Sequence, residues 1–247
     1  MAEFFAGQRV VIAHAHPDDE VLATGVLLAW LAEHGVPTTV VTSTRGECGE
    51  IVPGALPADT TPEALVAVRE AECLAALAEI GGPGTIGHHW LGTPPARAVG
   101  LPPREYRDSG MRWVTSTLAG PGDSTDPRTL TAATVDEAAA DLAAFVRTSG
   151  ATLVASYDAD GGYGHPDHVR THEVAREAAR LTGVDFVEFA SDLDDPRFER
   201  HDLPEYLETV IRALRHYRSQ LTVHPDHLEH VGGQRQEFPS SVTLRRA

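Results

Sequence analysis

Two periods of apolar residues alternate along this chain. Short runs rich in β-branched residues read as buried strands: Arg9–Ala15 (RVVIAHA), Pro37–Ser43 (PTTVVTS), Thr85–Leu91, Ala151–Tyr157 (ATLVASY) and Val184–Phe189. Between them lie segments with helical spacing: Glu20–His34 ending at Gly35, Thr61–Ile80, Val135–Thr148, Asp167–Leu181 and Pro204–Ser219. Thr61–Ile80 carries the clearest signals. Thr60 or Thr61 can cap it, Pro62 suits its first turn, Gly81–Gly82 stops it, and Leu65, Val68, Cys73, Ala76 and Leu77 form its apolar stripe. From Gly92 to Thr131 no period holds, and so long an irregular stretch reads as a functional loop or lid.

Strands alternating with helices predict an α/β fold with a doubly wound, mainly parallel sheet, Rossmann-like in its winding. Such sheets bind ligands beyond the carboxyl ends of the strands, where strand order reverses. The length suits one domain over residues 1–247, with the irregular loop at about 92–131 and a stretch without clear period after 219.

Charge and composition narrow the function. A formal charge of −16 opposes binding to nucleic acid or an anionic membrane surface. No apolar run approaches the roughly 20 residues of a membrane span. The N-terminal stretch shows neither a basic leader region nor a small-residue cleavage site, so a cytoplasmic protein is expected. Cys48 and Cys73 offer at most one disulfide and cannot build a thiolate zinc site. Thirteen histidines are many for this length, and they group with aspartates.

Two of those groups share a plan. His16-Pro17-Asp18-Asp19-Glu20 follows the first strand and opens a helix; His165-Pro166-Asp167-His168 follows Ala151–Tyr157 after a glycine-rich turn and opens another. Proline in a first helical turn sacrifices no hydrogen bond and holds the preceding histidine extended. His16 and Asp19 can face one point across their turn, and His168 can join them if the two strands are neighbours. Two imidazoles and one carboxylate leave a fourth position open, the arrangement of a catalytic zinc, although the same donors also suit Fe(II). Asp18, beside Asp19, is then placed as general base. His165 can serve a developing oxyanion or the leaving amine, with Asp167 orienting its ring. The plainer alternative makes each His-Pro-Asp a turn with Asp18 and Asp167 as helix N-caps. A third copy, His224-Pro225-Asp226-His227, follows a helix rather than a strand and is expected outside the primary ligation. His14 reads as a core histidine, His88 and His89 as structural, and Cys48 as non-nucleophilic.

On these residues the chain resembles the LmbE-like, or PIG-L-type, zinc deacetylases. The resemblance rests on Ala15-His16-Pro17-Asp18-Asp19-Glu20, on His165-Pro166-Asp167-His168 and on Thr42–Glu50. Within the family, Arg107-Asp108-Ser109-Gly110-Met111 and Gly161-Gly162-Tyr163-Gly164 are most similar to the mycothiol-pathway branch, which deacetylates an N-acetylglucosaminyl-inositol; the mycothiol S-conjugate amidases are close to it. The resemblance implies an LmbE-like fold, zinc held by His16, Asp19 and His168, Asp18 as base and His165 beside the tetrahedral intermediate. It further implies Tyr163 at the amide carbonyl, and Arg69, Asp108 and Glu50 at sugar or inositol hydroxyls. The chain departs from that branch after Ser219 and through a longer Gly92–Arg107 insertion. A natural-product glycoside deacetylase therefore stands as an alternative. The expected partner is a small amino-sugar molecule, and a second copy of the chain stays open.

Two readings from other classes compete. A nucleotide-binding module on this fold needs a glycine-rich turn after the first strand, which AHAHPDDE does not supply. A non-catalytic metal- or sugar-binding protein would need neither Asp18 nor His165, and chelator-sensitive release of acetate separates it from an enzyme.

Overall fold

The first apolar run, Val10–His14 (β1), is buried at every position because helices cover both faces of its sheet. Its side chains alternate, so Val10 and Ile12 enter one core while Val11 and Ala13 enter the other. In the computed structural model, which describes residues 1–247, a helix α1 (Ala2–Phe5) precedes β1. The chain continues through α2 (Asp19–Glu33), β2 (Thr38–Thr42), α3 (Pro62–Gly81) and β3 (Ile86–Trp90). A hairpin, β4 (Met111–Trp113) and β5 (Ala119–Pro121), leads to α4 (Val135–Ser149), β6 (Leu153–Tyr157), the single turn α5 (Gly161–Gly164), α6 (Pro166–Thr182) and β7 (Asp185–Phe189). Then come β8 (Glu199–Asp202), a 3-10 turn at Pro204–Tyr206 and α7 (Leu207–Leu214). The chain ends with β9 (Leu221–Val223), β10 (Leu228–His230), β11 (Arg235–Gln236) and β12 (Ser241–Arg246).

The main sheet has the order β3-β2-β1-β6-β7-β12-β8. From β3 to β7 the pairing is parallel, and β12 joins antiparallel to β7 and β8. Helices α2, α3 and α7 pack on one face, α4 and α6 on the other. This is the doubly wound α/β architecture expected from the sequence. The chain winds outward from β1 through β2 and β3, then returns to β6 on the opposite side of β1. Strand order therefore reverses between β1 and β6, which pair from Val10↔Leu153 to Ile12↔Ala155. Both His-Pro-Asp segments leave the carboxyl ends of these two strands, at the crevice such sheets use for ligands.

Two regions differ from the sequence-based expectation. Pro204–Ser219 is not one helix: a 3-10 turn precedes α7, which stops at Leu214, and the fully buried Tyr217 then turns inward to donate its hydroxyl to Glu20. The stretch after 219 is regular, with β9, β10 and β11 forming a three-stranded antiparallel sheet. In β12, Val242 and Leu244 fill the core beneath α2, an alternation too short to stand out in a polar stretch.

Between β3 and α4 the chain is irregular apart from the β4–β5 hairpin, and a buried charge anchors it. Asp141 on α4 is fully buried and accepts from Arg97 Nη1 at 2.7 Å, Ala98 N–H at 2.8 Å and Tyr106 O–H at 2.8 Å. Removing the carboxylate would leave a buried guanidinium and a phenol without their acceptor. Asp141→Ala is expected to cost about 3–5 kcal/mol of stability in urea unfolding. A loss under about 1 kcal/mol, the scale of an exposed ion pair, would show that other contacts hold the loop.

Candidate metal centre and active site

At the end of β1 the backbone turns into α2 through Pro17 and Asp18. Asp18 is the one non-glycine residue with positive φ, at 111°. Such a conformation costs on the order of 1–3 kcal/mol and persists only where its surroundings impose it. Here His16 N–H donates to Asp19 Oδ2 at 2.8 Å and Asp18 N–H donates to Glu20 Oε2 at 3.1 Å, closing the turn from both sides. The Asp18 side chain makes no capping bond, so the N-cap alternative does not describe it. Neither does it describe Asp167, since α6 is capped by His165 Nδ1, which accepts the Asp167 N–H at 3.1 Å.

Three ligand atoms converge in the crevice. His16 Nδ1 lies 3.2 Å from Asp19 Oδ2, His168 Nε2 lies 3.3 Å from the same oxygen, and the two nitrogens are 3.3 Å apart. Donors on a tetrahedral zinc, each about 2.0–2.1 Å from the ion, stand roughly 3.3 Å from one another. The protons point the same way. His16 Nε2 lies 3.3 Å from Asp167 Oδ2 and His168 Nδ1 lies 3.2 Å from the Gly161 carbonyl, so each ring gives its N–H to an acceptor. Each then presents a lone pair to the triangle, the pattern of metal-ligating histidines. Ligand atoms this close together need positive charge among them, from a proton or a metal ion. The electrostatics agree: burial disfavours charge on His16, but hydrogen bonds to Asp167 and Asp19 outweigh it and raise its pKa well above the usual imidazole range. Burial likewise disfavours charge on Asp19, yet His168 and His16 hold its carboxyl well below the ordinary range.

The Asp167 carboxylate thus serves His16, and the expectation that it would orient His165 is corrected. Its Oδ2 also accepts Ser109 N–H at 2.9 Å, which brings the long loop over the cluster. His165 is oriented by the Asp167 backbone instead, because the first turn of α6 points that N–H at its ring. With Nδ1 accepting, the neutral ring carries its proton on Nε2. Burial lowers the His165 pKa, and the neighbouring His16 and His168 lower it further. Its centroid is 4.5 Å from that of His16 and 5.0 Å from that of His168. Burial raises the Asp18 carboxyl well above its usual range, and Asp19 and Glu20 add to that.

Other expected site residues lie around this cluster in different ways. Tyr163, 42% exposed, edges onto His168 with centroids 5.3 Å apart and lies 5.6 Å from Trp113 on β4. The glycines around it permit the turn: a Cβ on Gly161 (φ 64°) would meet Val169 N at 2.7 Å. Asp108 is buried, with Oδ1 3.9 Å from His16 Nε2 and hydrogen bonds from Gly110 N–H and Cys48 N–H. Arg69 is also buried. It braces the loop after β2 by donating to the Gly46 and Glu50 carbonyls. Gly46 leaves room for it, since a Cβ there would stand 2.7 Å from Arg69 Nη1. Glu50 contributes that carbonyl and carries an exposed side chain.

Several residues at the site escaped the sequence reading. Tyr157 on β6 stacks on His168 (centroids 4.4 Å apart, planes 14° apart), and its hydroxyl accepts Ala15 N–H at 3.1 Å. An aromatic residue ending a buried strand gives no signal beyond core packing. Ser109 was visible only within the Arg107–Met111 run. Glu20 is fully buried between Tyr217 and the Asp18 N–H, and burial pushes its carboxyl up to about 8. His14 is a satisfied core residue bonded to Thr24 at 2.9 Å, and His88 bonds Thr42 at 3.0 Å. Cys48 and Cys73 are both free.

Comparison with known proteins shows the family. The family of GlcNAc-PI de-N-acetylases (PIG-L) matches residues 11–179, which include both His-Pro-Asp segments. The chain belongs to the PIG-L family. A 1D-myo-inositol 2-acetamido-2-deoxy-alpha-D-glucopyranoside deacetylase of Kineococcus radiotolerans is 41% identical over 178 residues, 72% of this chain and 46% of the relative. Its counterpart in Actinosynnema mirum is 34% identical over 255 residues, 90% of this chain and 83% of the relative. The chain spans about half the length of most curated PIG-L relatives it matches, 46% to 55% for the first three. A deacetylase of the teicoplanin biosynthesis pathway shares the fold with a TM-score of 0.60 at 21% identity, over 97% of this chain and 98% of that one. No helix is long and apolar enough to cross a membrane.

Asp167→Asn would put an amide against the His16 Nε2–H and disturb the orientation of that ring. It is expected to weaken zinc binding about 10–100-fold, measured by competition with a chromophoric chelator. Unchanged affinity would show that this contact does not hold the ligand ring.

Proposed function

We propose that the protein is a metal-dependent N-deacetylase that hydrolyses the N-acetyl group of an amino-sugar conjugate such as N-acetylglucosaminyl-inositol. The triangle of His16 Nδ1, Asp19 Oδ2 and His168 Nε2, with edges of 3.2–3.3 Å at the β1–β6 crevice, is the observation that carries the reading. The names of the relatives supply the reaction and substrate class. His16, Asp19 and His168 hold the zinc, for which their spacing and lone pairs fit. Bound there, zinc supplies Lewis acidity toward the amide carbonyl and water at neutral pH.

The chain's own residues do the rest. Asp18, freed from capping by its strained backbone, accepts the proton of the attacking water. Its raised affinity for a proton suits that task. His165 keeps Nε2–H for the oxyanion or the departing amine, because its Nδ1 is committed to the Asp167 N–H. Tyr163, on the exposed glycine turn, brings a hydroxyl to the carbonyl. Asp167 fixes the ring of His16. Asp108 and the loop held by Arg69, with Glu50 at its end, present polar groups to sugar hydroxyls, whose recognition depends on fixed hydrogen bonds.

A second reading, a deacetylase for a larger glycoside with an apolar aglycone, has one observation in its favour. Trp113, Val114 and Leu118 expose 44%, 60% and 48% of their surface on the hairpin beside Tyr163. Rates on N-acetylglucosaminyl-inositol and on an N-acetylglucosamine carrying an aromatic aglycone separate the two readings.

Asp18→Ala is expected to keep zinc and lose about 10²–10⁴-fold in kcat, while His168→Ala loses zinc and activity together. Amine release and metal content, measured on the same preparations, check both. Near wild-type turnover in zinc-loaded Asp18→Ala removes Asp18 as the base, and full zinc occupancy of the crevice in His168→Ala removes the ligand set.

A further inference from the structure

The third His-Pro-Asp-His run takes no part in the β1–β6 cluster. It forms the turn between β9 and β10, closed by a hydrogen bond from His224 N–H to the His227 carbonyl at 2.9 Å. That turn lays the two imidazoles face to face, with centroids 4.4 Å apart and planes 9° apart. Glu229 on β10 brings Oε2 to 3.4 Å from His224 Nε2. One ligand atom from each of His224, His227 and Glu229 lies within 4.8 Å of the other two.

The surroundings prepare these groups. Asp226 Oδ1 lies 2.7 Å from His227 Nδ1, and Arg235 Nη2 holds the other carboxylate oxygen at 2.9 Å. The Nδ1 proton is thereby committed, and Nε2 of His227 keeps its lone pair. A carboxylate behind the far nitrogen is the usual support of a metal-binding histidine. His224 Nε2 is shut off from solvent and makes no hydrogen bond, although the Glu229 carboxylate is beside it. His224 Nε2 thus lies beside a carboxylate with no hydrogen bond of its own, and a cation between them satisfies both.

We propose that His224, His227 and Glu229 form a second divalent metal site, of the two-imidazole, one-carboxylate class that zinc favours, independent of the β1–β6 cluster. The ligand atoms already lie within 4.8 Å of one another, and side-chain rotations would bring them toward the roughly 3.3 Å of tetrahedral zinc. His224 and Glu229 have room for them, with side chains 36% and 47% exposed. The ion would staple the turn to β10 and so fasten the three-stranded sheet.

The test is calorimetric titration of chelator-stripped full-length protein with zinc chloride. Wild type is expected to take up two equivalents. His224→Ala/His227→Ala loses one of them and keeps a deacetylation rate within about twofold of wild type, an effect outside the range of general acid–base loss. His168→Ala retains the hairpin equivalent, so this site is read without reference to the crevice. Glu229→Gln, which keeps the shape of the side chain, weakens the same equivalent. Equal zinc stoichiometry in wild type and the double histidine variant overturns the proposal.

Discussion

The structure turns on the meeting of three electron-rich atoms at the one place where the sheet reverses its winding. His16 Nδ1, Asp19 Oδ2 and His168 Nε2 stand 3.2–3.3 Å apart, and the proton of each ring is engaged elsewhere. Without positive charge, that approach would be repulsive, and burial would worsen it. The cluster therefore needs either protonation of His16 or a metal ion, and the rest of the crevice is arranged around that need.

Support comes from several layers of the fold. The Gly161 carbonyl and the Asp167 carboxylate fix the two rings, and Tyr157 stacks beneath His168. The strained backbone of Asp18 is imposed by Glu20, which is itself held by Tyr217 from beyond α7. Ser109 reaches in from the irregular region before α4 and donates to Asp167, while Asp141 anchors the same region from α4. Residues far apart in sequence thus converge on one turn. A change at Tyr217 or Asp141 acts on the site through the backbone it steadies.

The walls of the crevice are less uniform than the histidine–aspartate cluster. Asp108 and the loop braced by Arg69 bring polar groups near His16, whereas the hairpin beside Tyr163 exposes apolar Trp113, Val114 and Leu118. Polar groups select hydroxyls by fixed geometry, whereas an apolar rim rewards buried area and accepts varied shapes. On the proposed function, this asymmetry separates the reaction, assigned to the turns after β1 and β6, from the substrate, assigned to the loops around them.

The sequence by itself determined the local pieces: five parallel strands, their connecting helices, the Thr61 cap, and two His-Pro-Asp turns each placed after a strand. Those features depend on neighbours within a few residues, where periodicity, proline and glycine act directly. That His16 and Asp19 share one face follows from their spacing; that His168 joins them required β1 and β6 to pair. Only tertiary structure decided that Asp167 serves His16 rather than His165, that Arg69 is buried, that Tyr157 and Ser109 reach the cluster, and that β12 enters the main sheet. Each of these depends on contacts between distant segments, and a side chain carries no mark of which partner the fold will bring to it.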